Sequence, residues 1–485
     1  MLFNSISFAL FLPLVFGLYW FFKKSNYQNI LLLIASYYFY SCWDWRFLFL
    51  LIFSTSLDYV TALLMTSTSK VGNRKIWFWL SILLNLGFLG FFKYYNFFID
   101  SFSELLNQVG FRVNITTLAI ILPVGISFYT FHGLSYLIDV YKNRIRAERN
   151  FIDYSLFVSF FPLLVAGPIE RATHLLPQIK KERNFDYLEA VDGLRQILWG
   201  LFKKVVIADG CAEYANLIFN NSVDYSGFSL FLGAVFFTFQ IYGDFSGYSD
   251  MALGIAKLFG IDLLKNFSFP YFSRDIAEFW RRWHISLSSW FRDYVYIPLG
   301  GSKVSTLKKI RNTFVIFFIS GFWHGANWTF IFWGLLNAIY FIPLLIKNRN
   351  RENLNIIAEG RILPSIKELF GMFFTFLMIV LGWIFFRAND LYHAFSFIKE
   401  MIFGLFEKEG YVQTLNLLYW KIGFILPLML LLFYCIEWIG RNGEYAISNL
   451  MFSWKRNIRI SFYCIIGLLI YYLGGNEQEF IYFQF

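Results

Sequence analysis

Hydrophobic and polar positions in this chain are grouped in long blocks, without the short alternation of a half-buried sheet or the single apolar stripe of a soluble helix. Twelve mainly apolar stretches, at 5–22, 29–42, 46–66, 76–98, 116–140, 190–208, 226–256, 311–324, 327–346, 365–386, 421–440 and 459–473, are separated by polar gaps. Their lengths approach what a helix needs to cross about 30 Å of hydrocarbon at about 1.5 Å per residue. The pattern predicts an all-α polytopic membrane protein with about 11–13 transmembrane helices. A further apolar segment, Phe151–Pro168, has basic residues on both sides and is expected as a re-entrant or interfacial helix. Broken backbone at membrane depth is tolerated only where protein or a water-filled cavity covers it.

The gaps orient the spans. Basic residues gather at Lys70–Lys75, Lys142–Arg149, Arg171–Arg183, Lys303–Arg311, Lys347–Arg351 and Lys455–Arg459, which is the positive-inside distribution. With these loops in the cytoplasm both termini are expected outside it. In the first stretch Lys23 and Lys24 follow the apolar run, whereas a secretory signal carries its charges before it. That segment is therefore expected as a retained span.

Composition strengthens this picture. The chain has 485 residues, 58% hydrophobic, 22% aromatic and only 15% charged, which excludes an ordinary soluble globule. A net charge of +10 would suit nucleic acid, but its place in short inter-span loops argues against that partner. Cys42, Cys211, Cys435 and Cys464 are far apart with no histidine at ligand spacing, so neither a metal site nor a disulfide framework follows, and each reads as a small buried hydrophobe. No internal repeat or low-complexity linker divides the chain. Residues 1–485 read as one membrane domain, with a polar external insertion near Arg387–Leu418.

Four segments resist a lipid-facing explanation. Tyr271–Asp293 holds Arg274, Asp275, Glu278, Arg281, Arg282, Arg292 and Asp293, with Glu278 three and four residues before two arginines on one helical face. A charge at the bilayer centre costs about 2.5–3.5 kcal/mol, so the segment is either an amphipathic interfacial helix or the lining of a hydrated interior. SGFWHGANW at Ser320–Trp328 sets His324 between Gly321 and Gly325 at a turn joining two apolar spans, and an imidazole is suited to take a proton from a hydroxyl. His284, in WRRWH, lies forty positions earlier, so only the fold can join the two. QIYGDFSGYSDMALG places Asp244 and Asp250 with Ser246, Tyr248 and Ser249 inside an apolar stretch, as functional carboxylates or as interhelical hydrogen-bonding groups. Spacing gives no support to a Ser246–His324–Asp244 triad. Finally, LPVGISFYTFH at Leu122–His132 and PLLVAGPIER at Pro162–Arg171 interrupt apolar runs, as broken helices around a substrate path do. LGGSK at Leu299–Lys303 lacks the full phosphate-binding loop pattern, so a nucleotide-binding fold is not indicated.

Taken in order, MLFNSISFALFLPL, LPVGISFYTFHGLSYLIDVY, PLLVAGPIER, YGDFSGYSDMALG, FPYFSRDIAEFWRRWHISLSSWFRDYVYIPLGG, SGFWHGANWTFIFWG and EFIYFQF resemble the membrane-bound O-acyltransferase family along nearly the whole chain. The likeness is to its bacterial alginate and peptidoglycan O-acetyltransferase membrane subunits. The resemblance implies helices around a central funnel, with His324 as the active-site residue at its base and His284 nearby. It implies transfer of an acyl group, most often acetyl, from a cytoplasmic thioester such as acetyl-coenzyme A toward a cell-surface polysaccharide, with an extracytoplasmic SGNH-type acetyltransferase as partner and no tightly bound cofactor. In this reading Trp323, Asn327 or Trp328 supplies oxyanion donors, and Lys303, Lys308, Lys309 and Arg311 attract the donor's phosphates or merely satisfy the positive-inside rule. The tail FIYFQF resembles a C-terminal motif of related acylation systems in which a tyrosine carries the acyl group, which makes Tyr482 a third candidate beside an interfacial-anchor reading. Teichoic-acid D-alanyl transfer, a polysaccharide or lipid transporter, and a non-catalytic scaffold are the alternatives.

Overall fold

The computed structural model describes residues 1–68, 70–111, 117–165, 167–449, 454–474 and 478–481, and these are helical with no strand among them. Every one of the twelve apolar stretches falls on a helix. By length and composition six helices among the described residues can cross a membrane, or seven if the pair Lys408–Ile422 and Ile425–Gly440, bent by 90°, counts as one span. The other stretches form helices that are shorter or less apolar, such as Ile6–Phe21, or change winding partway, as where Tyr187–Phe202 runs into a π-helical turn at Lys203–Ala208.

The chain divides into two compact units. The first comprises residues 1–190 and 255–264. Its long helices start where a side chain can satisfy free backbone N–H groups: Ser5 caps Ile6–Phe21 and Asp44 caps Trp45–Ser67. Within it Asp58 accepts from Ser81 Oγ and Asn85 Nδ2, both at 2.7 Å, so a carboxyl group in an apolar span is satisfied by hydrogen bonds between helices. The Phe151–Pro168 segment breaks, as expected, into Phe151–Ser159 and Phe161–Leu164, and Tyr154, Phe157, Phe160 and Phe161 are fully buried, so protein covers it. The two Pro/Gly-interrupted motifs meet here, where the Glu170 N–H donates to His132 Nε2 at 3.1 Å. Buried Glu170 also accepts from the Leu264 N–H at 2.6 Å and engages His174 Nδ1 at 2.8 Å.

The second unit comprises residues 191–254 and 265–485. Its centre is the helix pair Thr306–His324 and Trp328–Ile346, joined by three residues. Gly321 and Gly334 face each other where these helices cross, and a Cβ on either would collide with a carbonyl oxygen of the other helix. Close backbone approach of this kind holds membrane helices together without a hydrophobic driving force. Cys211 is buried, but Cys42, Cys435 and Cys464 are exposed, against the sequence expectation. Apolar character in a membrane protein does not require burial in protein, because the outward face of a span meets lipid.

Candidate active site

The charged segment Tyr271–Asp293 folds into two short helices, Ile276–Arg282 and Ile285–Phe291, broken at Trp283 and His284. Asp275 caps the first, accepting from the Glu278 N–H at 2.7 Å. Glu278 is buried and takes Arg282 Nη2 at 2.8 Å and Arg274 Nη2 at 3.0 Å. The expected pairing with Arg281 does not form; that guanidinium instead donates to the carbonyls of Asn350 and Asn353 at 2.7 and 2.8 Å. These charges therefore bind the loop after residue 347 to the helix break, and the surface-helix reading fails because the carboxylate between the arginines has no access to solvent.

His284 sits at the break in the left-handed backbone region (φ 42°, ψ 56°), a conformation that costs a non-glycine residue about 1–3 kcal/mol and persists only where its surroundings enforce it. Asn266 does so twice. Its carbonyl accepts the Ile285 N–H at 2.9 Å, and its Oδ1 accepts from His284 Nδ1 at 3.2 Å and from Ser286 Oγ at 2.6 Å. The proton is thus assigned to Nδ1, leaving Nε2 as the lone-pair nitrogen, with no hydrogen-bond partner among the described residues. Burial pushes the basicity of this imidazole well below the ordinary histidine range, so it is neutral.

His324 ends its helix, and the extended residue Gly325 turns the chain toward Asn327. Its ring lies edge-on to Trp333 at 5.0 Å and Phe386 at 5.2 Å, with the neighbouring Trp323 at 4.8 Å. The side chain is therefore packed among aromatic rings as well as lining a cavity, whereas the sequence reading placed it in a hydrated funnel alone.

One cavity of about 420 Å³ is lined by both His284 and His324, together with Trp280, Ser288, Thr313 and Ser320. Arg292, Lys309 and Arg351 also line it, and the two arginines are exposed to solvent. Of the four basic residues expected at the mouth only Lys309 is present; Arg292 and Arg351 replace the others because the helix break and the 348–351 loop, not the 303–311 loop alone, form the rim. The expected oxyanion donors also change. Asn327 is engaged as a helix cap, accepting from the Thr329 N–H at 3.0 Å and donating to the Asn389 carbonyl at 2.9 Å, and neither it, Trp323 nor Trp328 lines the cavity. Trp280 does, and its indole N–H has no hydrogen-bond partner among the described residues. The sequence signal for it was present, an indole four residues before His284, but nothing in the spacing separated it from Trp283, which is buried against Trp383 at 5.0 Å.

Asp244, Asp250 and Ser246 do not line the cavity. They meet two lysines instead: Lys203 lies 2.5 Å from Asp250 and 2.9 Å from Ser246 Oγ, and Lys204 lies 2.9 Å from Asp244. Tyr482 lies outside the described residues.

One cavity thus carries two imidazoles on its wall, in a chain whose long helices are apolar enough to cross a membrane. A sequence profile of the membrane-bound O-acyltransferase family matches residues 140–385, a stretch that contains both histidines. The chain is 41% identical over 410 residues to a probable alginate O-acetylase of Pseudomonas aeruginosa, covering 84% of this chain and 76% of that protein. It is 34% identical to a peptidoglycan O-acetyltransferase of Helicobacter pylori, covering 100% of this chain and 98% of the other. A teichoic acid D-alanyltransferase of Streptococcus thermophilus is more distant, 29% identical over 61% of this chain and 77% of its own length. The chain belongs to the membrane-bound O-acyltransferase family and is a multi-pass membrane acyltransferase.

Proposed function

We propose that this enzyme moves an acetyl group from a cytoplasmic thioester, acetyl-coenzyme A, toward hydroxyls of a cell-surface or exported polysaccharide, from the bacterial inner membrane. The observation that carries the reading is the one cavity that combines two buried imidazoles with a cationic rim. Relatives named for alginate and peptidoglycan acetylation support the acceptor class, and the lower identity of the D-alanyltransferase places that chemistry second.

His324 acts as the general base. It takes the proton of the acceptor hydroxyl, the oxygen attacks the thioester carbonyl, and the imidazolium returns the proton to the departing thiolate, leaving an ester and a free thiol. His284, held by Asn266, presents a lone-pair nitrogen and so orients a hydroxyl or water; it cannot donate from Nε2. The Trp280 indole N–H is the donor available to the carbonyl oxygen. Tyr482 provides the first acceptor hydroxyl and passes the acetyl group to an extracytoplasmic SGNH-type acetyltransferase.

The test is transfer of radiolabelled acetyl from acetyl-coenzyme A by purified protein in lipid nanodiscs. Label should reach the protein's C-terminal peptide in the wild type and be absent after Tyr482→Phe, which keeps the aromatic anchor and removes only the oxygen. Wild-type polysaccharide acetylation by Tyr482→Phe cells would leave the tail as an anchor. A transporter or scaffold would show no label on any acceptor.

The rim gives a second expectation. Replacing Arg292, Lys309 and Arg351 together by alanine should raise KM for acetyl-coenzyme A about tenfold or more, with a small change in kcat and a weaker dependence of KM on salt. An unchanged KM would assign these charges to membrane orientation alone.

A further inference from the structure

In the second unit the π-helical turn Lys203–Ala208 carries two consecutive lysines with almost completely buried side chains. A regular helix turns successive side chains apart by a wide angle, and the wider π turn lets both find partners in the interior. Lys204 bridges Asp209 at 2.7 Å and Asp244 at 2.9 Å, and its ammonium also donates to the Gln478 carbonyl at 3.0 Å. The other Asp244 oxygen accepts the Ile481 N–H at 2.7 Å. A buried ion pair is no more stable than a well-packed apolar pair of the same size, so stability alone is a weak reason to keep one inside an apolar helix bundle. This one grips the backbone of the C-terminal segment at two points.

The grip is reinforced by packing, and the packing leads to the cavity wall. Phe480 and Ile481 are fully buried. The Phe480 ring lies 4.5 Å from Tyr248 and 6.4 Å from Phe245, and Phe245 lies edge-on to the His284 ring at 4.7 Å. The tail, the Asp244 helix and His284 are thus joined by continuous ring contacts.

We propose that the Lys204–Asp244 pair is a positioning clamp for the C-terminal segment: it holds the Gln478 carbonyl and the Ile481 N–H, and acyl transfer through the tail depends on that hold. The functional half rests on the reading of Tyr482 as acceptor; the clamp itself does not. Asp244 and Lys204 touch neither donor nor acceptor and act through the tail.

Two measurements on the full-length protein in nanodiscs separate these halves. Hydrogen exchange reads the clamp: Asp244→Asn and Lys204→Met should each speed exchange in the peptide covering residues 478–485 by about tenfold or more, with the Trp45–Leu89 peptides unchanged. Ile481→Pro removes the donor, with some loss of Ile481 packing, and leaves Lys204 and Asp244 themselves unchanged, so it keeps the test valid where Asp244→Asn does not fold. Release of coenzyme A thiol from acetyl-coenzyme A reads the coupling: each variant should lower kcat about tenfold with KM within about twofold, and deletion of residues 478–485, which removes the acceptor as well, should lower it at least as far, with no loss beyond the deletion's own when combined with Asp244→Asn. Unchanged tail exchange in all three variants overturns the clamp. Faster tail exchange with wild-type kcat, or an additional loss in the combined variant, overturns the positioning role. Absence of thiol release in the wild type would sink the proposed donor while the exchange result still decides the clamp, and an active Tyr482→Phe beside an inactive Asp244→Asn would keep the clamp and remove the relay.

Discussion

His324→Gln is expected to lower acyl transfer by about 10² to 10⁴, the range typical of losing a positioned general base, with the fold retained. Glutamine is the informative replacement because the His324 ring packs against Trp333 and Phe386. Alanine would remove those contacts along with the base, mixing a packing loss into the rate. Glutamine fills part of the space, keeps hydrogen-bonding capacity and cannot accept a proton at neutral pH. The measurement is acetyl transfer at saturating acetyl-coenzyme A, with thermal unfolding of the same preparation as control. His284→Gln should reduce the rate less, because that imidazole is kept neutral by burial and anchored to Asn266. If the His324 variant transfers acetyl at the wild-type rate, or if only the His284 variant is dead, the base has been placed on the wrong side of the cavity.

Glu278→Ala is expected to destabilise the protein by about 3–5 kcal/mol, the usual result of removing one partner from a buried ionic cluster. The carboxylate accepts from Arg274 through the backbone N–H at 2.8 Å and through Nε and Nη2, both at 3.0 Å, and from Arg282 through Nε at 3.0 Å and Nη2 at 2.8 Å. Its removal leaves two guanidiniums close to each other in a region with little solvent. Native stabilities are only about 5–15 kcal/mol, so the variant should lose much of its folded population at growth temperature. Glu278→Gln keeps the shape and part of the hydrogen bonding and should lose less. Thermal unfolding of both variants checks this, and an alanine variant as stable as the wild type would mean that water, not Glu278, satisfies the arginines. Because Arg274 and Arg281 also hold the carbonyls of Asn355, Asn350 and Asn353, the cavity rim at Asn348–Arg351 should loosen with it.

Much of the helix plan was legible in the chain, because an apolar block long enough for a bilayer has one way to satisfy its backbone there. The lengths were less legible. Among its described residues, the stretch at 116–140 is helical only from Ile126, and the stretch at 421–440 lies on a pair of helices with a sharp bend near Gly423. Local breaks depend on which carbonyls and rings lie alongside, and one strand of sequence does not contain its neighbours. The same holds for Glu278, where helical spacing marked Arg281 and Arg282 as partners: Arg282 pairs as expected, but Arg274 takes the place of Arg281.

What the sequence determined by itself was the class: block hydrophobicity set a polytopic helical protein, and ordered motifs around His284 and His324 set the family. These follow from solvent transfer and local chemistry, which act residue by residue. The tertiary structure decided what depends on distant segments meeting. It put the two histidines on one cavity wall, gave the rim to Arg292 and Arg351, turned Asn327 into a helix cap, and sent Asp244 to Lys204 and the C-terminal backbone instead of to a triad. A buried charge takes whichever partner the fold brings within about 3 Å, and that choice is made by packing across the chain, not by spacing along it.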